Sequence, residues 1–415
     1  MSPLAIALAC IGTLVLLNLA IAAFVRVWIR YRTVRASSVR ASRQMREGVA
    51  NFAVEAADEL PKAATGYERR LLRETILETA HELSGSASDR LAIQFAERGY
   101  IAEAERGLES RLLLQRVRAA EVIGELGGLA NVPALRRGLR DSEPLVRFAC
   151  AHALTRLSPG GHLEQIVAAL ADDGDGADDA VFNQGALAEI LLDSGPSAVE
   201  ELRELLTDPR HPRRRRLIVV VLGELRAHAA VPELLAALGD PDDELCARAC
   251  HALGKIGDPE TADAIAAVAM DGGRPWFVRT AAAGACGQIG DPGTAGVLVE
   301  ALDSEEWYPR NAAATALVQL GDAGLAAVCS AITVLEPESI RHYWGLLDSA
   351  GKTEAVIVRA ARGERRIRRL VSAAARAGAT ARLEELATRE DEVGRYATML
   401  LEGGMSVLAE AVTVS

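Results

Sequence analysis

The sequence predicts an all-α protein in which short helical hairpins stack into an elongated solenoid, preceded by one transmembrane helix. Three observations carry this reading. Half of the 415 residues are apolar but only 4% are aromatic. A core so poor in rings is built from small and aliphatic side chains, which suits closely stacked helices better than an aromatic-rich sandwich. A hairpin-sized unit recurs through the middle of the chain, with turn glycines Gly257, Gly290 and Gly321 spaced 33 and 31 residues apart. Finally, no charged side chain occurs before Arg26.

The elements follow in chain order. Leu4 to Val25 is 22 residues without a charge, roughly 33 Å of helix against roughly 30 Å of bilayer hydrocarbon. This predicts an anchor helix over 4–29, with Trp28 and Tyr31 at the interface. The segment before it, Met1-Ser2-Pro3, has no Lys or Arg, and the apolar stretch exceeds an ordinary signal-peptide h-region. Seven arginines (Arg26, Arg30, Arg32, Arg35, Arg40, Arg43 and Arg46) precede the first acidic residue, Glu47. The positive-inside rule then places the N-terminus outside an inner (plasma) membrane and the solenoid in the cytoplasm. Residues 30–66 read as a basic juxtamembrane helix and a linker broken at Pro61 and Gly66.

Residues 67–109 hold two helical patterns, expected to cap the solenoid of 67–335. The repeats are clearest at 247–271, 281–303 and 311–332, with earlier copies at 116–141, 145–157 and 215–240 and a weak one at 181–195. Each opens with a small-residue helix, turns at glycine and begins a second apolar helix. In that second helix apolar residues recur at three- and four-residue spacing, as in Leu234, Leu235 and Leu238. Pro133 and Pro232 stand near its start, where a missing N–H costs nothing. The turn glycines permit a positive φ at the helix C-terminus. Alanine and glycine on the first helix let neighbouring hairpins approach closely, and only stacking buries their apolar faces. Residues 336–415 keep an arginine-led pattern at Arg368 and Arg395 and read as degenerate repeats or a cap.

A second register accompanies the first. Arg118, Arg147, Arg216, Arg248, Arg279 and Arg310 recur at one point of the first helix, and Asp208, Asp240, Asp271 and Asp303 precede several of them by seven or eight positions. The expectation is a ladder in which each inter-repeat Asp pairs with the Arg of the helix that follows it.

The pattern V-R-x-x-A-A-x-x-L-G-x-[IL]-G-D-P resembles HEAT repeats of the short bacterial type shared with phycobilisome-lyase-like proteins. It is carried by Val117-Arg118-Ala119-Ala120, by Leu253 to Pro259 and by Gly287 to Pro292, and the clear part covers about 110–335. The resemblance implies a right-handed α-solenoid and no single activity. A bacterial source also fits the cation usage, in which only Lys62, Lys255 and Lys352 are lysine.

Two enzyme classes use this architecture. Deoxyhypusine hydroxylase, a HEAT-type protein, holds two irons through His-Glu pairs. At the matching positions stand Val117-Arg118, Ala247-Arg248 and Val278-Arg279, and His81-Glu82 lies outside the clear repeats. Bilin lyases share the repeat but no site motif with this chain. Cys246, Cys250 and His251 lack a fourth ligand, and adjacent residues of a helix point apart. Cys10 lies in the apolar span, and Cys150, Cys246, Cys250, Cys286 and Cys329, spread over helical apolar runs, read as small buried residues. The acidic run 172–179 fails the spacing of a calcium loop, and Arg213 to Arg215 read as a solvated helix start facing solvent or that run. No cofactor or metal is expected.

Charge narrows the partner. The net charge is −11, and beyond Arg46 it is −18, from 39 cations against 57 anions. That disfavours nucleic acid. The scarce aromatics repeat: Trp276 and Trp307 each stand three residues before their ladder arginine, Phe277 and Tyr308 follow them, and Tyr343 and Trp344 are expected to continue the row. Trp and Tyr are common interface anchors, and the competing reading is inter-repeat packing. The sequence therefore predicts a membrane-anchored, non-enzymatic scaffold or adaptor binding a protein partner at the cytoplasmic face. A phycobilin-lyase-like or metal-dependent enzyme on the same solenoid is the alternative.

Overall fold

A computed structural model describes residues 42–53, 60–63, 65–83, 85–170, 185, 187–208 and 211–402. All regular structure among these residues is helical. The expected anchor, 4–29, lies outside the described residues. Among the described residues no helix is long and apolar enough to cross a membrane. The single-pass placement at the inner membrane is therefore not supported, and the expectation is corrected. The chain divides into two compact units, 1–158 and 159–415.

In the first unit, α1 covers residues 42–53 and α2 covers Gly66–Glu82. Thr65 starts α2 with a capping box: its hydroxyl accepts the Glu68 N–H at 3.1 Å, and the Glu68 carboxylate accepts the Thr65 N–H at 3.1 Å. Two otherwise orphaned donors are thereby satisfied. The second helical pattern of 67–109 is divided: Gly99, at φ 76°, separates α3 (Ser86–Glu97) from α4 (Tyr100–Gly107). There follow α5 (Leu113–Leu126), α6 (Val132–Gly138) and α7 (Pro144–Leu157). Helices α5 and α7 lie side by side, and a Cβ on Gly124 would come within 2.9 Å of the Ala153 Cα. Glycine is what permits that approach.

The second unit begins with α8 (Leu163–Leu170), α9 (residues 187–193) and α10 (Val199–Leu206). Hairpins follow in series: α11 (Pro212–Glu224) with α12 (Val231–Leu238), α13 (Asp243–Ile256) with α14 (Ala262–Met270), and α15 (Trp276–Ile289) with α16 (Ala295–Ala301). Next come α17 (Trp307–Gln319) with α18 (Asp322–Ala331), α19 (Pro337–Ser349) with α20 (Thr353–Ala361), and α21 (Arg365–Arg376) with α22 (Ala381–Leu386). Helix α23 (Glu392–Leu401) closes the unit.

The first helices α11, α13, α15 and α17 pack one against the next. A glycine of each helix faces an alanine of the following one: Gly223 against Ala252, Gly254 against Ala285 and Gly287 against Ala316. Leu222, Leu253, Val278 and Leu317 fill the layer between, fully buried, and each contributes about 1.5–3 kcal/mol through lost apolar exposure.

The turns explain the Gly-Asp-Pro signature. Gly257 and Gly290 leave α13 and α15 at φ 75° and 77°, a region costly for any residue with a Cβ. Asp258 and Asp291 then accept the N–H two residues on, at 3.0 and 3.1 Å. Pro259 and Pro292 occupy the first helical position, where no N–H is needed. Pro133 and Pro232 stand at the second position of α6 and α12, where the N–H is likewise not needed within the helix.

Candidate partner-binding surface

The arginine register is present, but its partners differ from the expected ladder. Arg216 forms a two-pronged bond to Asp242, at 2.8 and 2.9 Å. Arg279 pairs with Glu306, and Arg310 pairs with Glu338 at 3.0 Å. Each therefore reaches forward to the start of the next first helix. Backward, the donors meet carbonyls: Arg310 bonds Ser304 O at 2.9 Å, and Arg147 bonds Asp141 O at 3.0 Å. Arg248 pairs within its own helix, with Glu244, and Arg118 reaches Glu74 at 3.5 Å.

The aspartates are correspondingly reassigned. Asp240 pairs with Arg215 at 2.8 Å, and Asp271 accepts the Gly273 N–H at 2.9 Å. Asp303 faces the Glu336 N–H at 3.4 Å, and Asp208 ends the turn after α10. Arg215 is not a solvated residue: it also bonds Leu206 O at 2.9 Å and is largely buried. Arg274, which lies outside the register, clamps Asp240 O, Leu238 O and Asp243 at 2.8–3.0 Å. Helix C-termini leave carbonyls unpaired, and the forked guanidinium of arginine reaches several at once.

These bonds also set charge. The Asp242 carboxyl is held below the usual carboxylate range: burial pushes it up, but the Arg216 guanidinium and the N–H groups of Leu245 and Glu244 outweigh that. Glu233 is lowered likewise, first by its hydrogen bond from Arg203.

The aromatic residues separate into two groups. Trp276, Trp307 and Tyr308 stand at the N-terminal ends of α15 and α17 and are 43%, 56% and 54% exposed. The rings of Trp276 and Tyr308 stack across the repeat junction, 4.5 Å apart at 24°. Trp307 stands edge-on to Tyr308 at 5.0 Å, and Phe277, half-buried, meets Trp276 edge-on at 6.0 Å. Tyr343 and Trp344 do not continue this row, because both are buried within α19. His342 does, its ring 6.3 Å from Trp307. Burial and the nearby Arg310 lower the pKa of His342, which keeps it neutral at neutral pH. Sequence reasoning missed it because the row was traced by aromatic type. The 31-residue step from Trp307 falls on Glu338, and His342 stands four residues later, one turn further into α19.

A cavity of about 440 Å³ opens beside the row, lined by Met270, Arg279, Glu300, Asp303, Glu305 and Glu306, among others. Glu306 immediately precedes Trp307.

The remaining candidates fall away from one another. Cys246 and Cys250 are fully buried whereas His251 is exposed. Cys150, Cys286 and Cys329 are also buried free thiols. Burial pushes Cys150 and Cys286 up to about 12 and Cys329 up to about 11. His81 meets Glu125 at 3.2 Å at the end of α2. The acidic run 172–179 and Cys10 lie outside the described residues.

HEAT-repeat family models match residues 132–161, 199–285 and 231–318. Residues 132–161 and 199–318 carry HEAT repeats. No curated protein matches it. Similar solved structures include human deoxyhypusine hydroxylase, at 20% identity over 68% of this chain and 98% of that one, with a TM-score of 0.29. An engineered protein is 18% identical over 86% of this chain and 98% of its own, with a TM-score of 0.34. Kap121p bound to Nup53p is 12% identical over 88% of this chain, with a TM-score of 0.47. This chain covers 41% of Kap121p in that structure.

Proposed function

We propose that the chain is a non-catalytic HEAT-repeat scaffold that docks a protein partner on the edge formed by Trp276, Trp307 and Tyr308. The observation that carries this is exposure. In a chain with 4% aromatic residues, three large rings gather at two adjacent repeated positions and leave about half of their surface in water. A ring needed only for packing gains most when it is fully buried, as Tyr343 and Trp344 are. Half-exposed Trp and Tyr held rigidly against one another offer large contact area at small conformational cost. The stacking of Trp276 on Tyr308 also ties two repeats together, so the platform is part of the stack and keeps its shape before a partner arrives.

The test compares wild type with a Trp276→Ala/Trp307→Ala variant in crosslinking capture from the source cells, followed by identification of the captured proteins. Loss of a specific partner with the thermal midpoint within a few degrees of wild type supports docking. Unchanged capture, or a collapse of stability, refutes it in favour of packing.

A further inference from the structure

The charge around the aromatic edge points to the chemistry of the partner. Between residues 281 and 340 there are eight carboxylates (Asp291, Glu300, Asp303, Glu305, Glu306, Asp322, Glu336 and Glu338) and one cation, Arg310. The carboxylates at the edge itself, Glu300, Asp303, Glu305, Glu306, Glu336 and Glu338, are exposed. Of the cations beside them, Arg279 and Arg310 are mostly covered and already engaged by Glu306 and Glu338, and Arg341, next to His342, is exposed. Helix N-termini alone would favour an anion, each with roughly half a positive charge. Here the six carboxylates, less Arg279, Arg310 and Arg341, leave three net negative charges, against roughly one and a half positive from the helix ends of α15, α17 and α19.

We propose that the edge binds an arginine- or lysine-bearing extended segment of a partner protein, its cationic heads lying on the aromatic faces and against these carboxylates. This deepens the docking reading above and rests on it. Three features converge on such an occupant. The exposed ring surface of Trp276, Trp307 and Tyr308 that the Trp276–Tyr308 stack leaves uncovered attracts cations. The adjoining cavity has an apolar wall at Met270 and Pro309 and carboxylates at Glu300 and Glu305, which matches a methylene stem ending in a charged head. His342, the remaining ring of the row, adds no opposing charge at neutral pH.

The experiment measures binding of three short fluorescent peptides to the full chain by anisotropy: alternating Arg and Ser, alternating Glu and Ser, and alternating Leu and Ser. The Arg peptide is expected to bind, to weaken with added salt, and to exceed the Glu peptide clearly. Trp276→Ala and Trp307→Ala should each weaken it about two- to fivefold. Glu300→Gln/Glu305→Gln should weaken it comparably without moving the melting curve, since both side chains are at the surface. An Arg peptide bound no better than the Glu peptide, or bound equally by all variants, overturns the proposal. If the Leu peptide binds instead, independently of salt but dependent on the tryptophans, the docking edge stands and its basic partner falls. If no peptide responds to the tryptophans and crosslinked capture is also unchanged, both fall. Concentration-dependent self-association of the free chain, abolished by Glu300→Gln/Glu305→Gln in sedimentation, assigns the edge to a second copy and also overturns the proposal.

Discussion

Substituting Gly223 by alanine tests the stacking principle, because two effects of known size oppose each other there. Gly223 lies within α11, and alanine is favoured over glycine in a helix interior by about 1 kcal/mol. Its new Cβ would lie 2.7 Å from the Ala252 Cα and 2.8 Å from the Ala252 Cβ. Ordinary contacts of this kind begin near 3.4 Å, so α11 and α13 must part by several tenths of an ångström. The obstacle is backbone, which cannot rotate away. Overpacking of this kind costs about 1–3 kcal/mol, and separating the helices also thins dispersion contacts along the layer. The upper part of that range applies, so Gly223→Ala should destabilise by about 1–2 kcal/mol net. Gly284→Ala, in α15 with nothing within 4 Å of the added Cβ, has the gain without the clash. It should stabilise by up to about 1 kcal/mol. Gly254→Ala falls between: the Gln288 side-chain tip can move, and the Ala285 Cα is 3.1 Å away. The assay is urea unfolding of the full chain followed by circular dichroism, with amide exchange to locate the loosening in α11 and α13. A Gly223→Ala midpoint at or above wild type, parallel to Gly284→Ala, would refute the reasoning.

Three further outcomes are expected. Arg274→Ala removes the guanidinium donors from the carbonyls of Leu238 and Asp240, leaving Leu238 O the weaker Cys246 thiol, and should cost about 2–3 kcal/mol, seen as faster exchange around the α12–α13 turn. Because Asp242 and Glu233 are lowered in the folded state, their contribution is complete above the unfolded carboxylate value near pH 4 and is lost as pH falls through the lower folded value. Asp242→Asn should therefore be less stable than wild type at pH 7, with a shallower decline of the urea midpoint on acidification; a parallel decline counts against the assignment. Cys150, Cys286 and Cys329, buried and with raised pKa values, should resist alkylation at pH 8 until the chain unfolds. Mass spectrometry of labelled peptides reads this directly, and rapid labelling in the folded state contradicts it.

What could be read without coordinates was whatever one residue decides within its own turn. Gly257 and Gly290 announce a left-handed C-cap, Asp258 and Asp291 a cap for the next turn, and Pro259 and Pro292 its first position, because each acts on backbone a few residues away. The anchor, read at Leu4 to Val25, lies outside the described residues, and the placement built on it was not supported. The Asp–Arg ladder was misassigned for a geometric reason. Spacing in sequence suggested pairing each Arg with the Asp seven or eight residues earlier. Side chains of a helix, however, lean toward its own N-terminus. Stacked first helices bring the N-terminal turn of the next repeat to the same level. Arg216 therefore finds Asp242, and Arg310 finds Glu338, while the preceding turn offers carbonyls rather than carboxylates. The same geometry separated the aromatic row. Trp276 and Trp307 each begin their helices, so their rings project past the stack. Tyr343 and Trp344 lie two turns into α19, where the same kind of ring faces the core. Repeat position, more than residue type, decides which rings reach water, and the exposed edge follows from where the repeated helices begin.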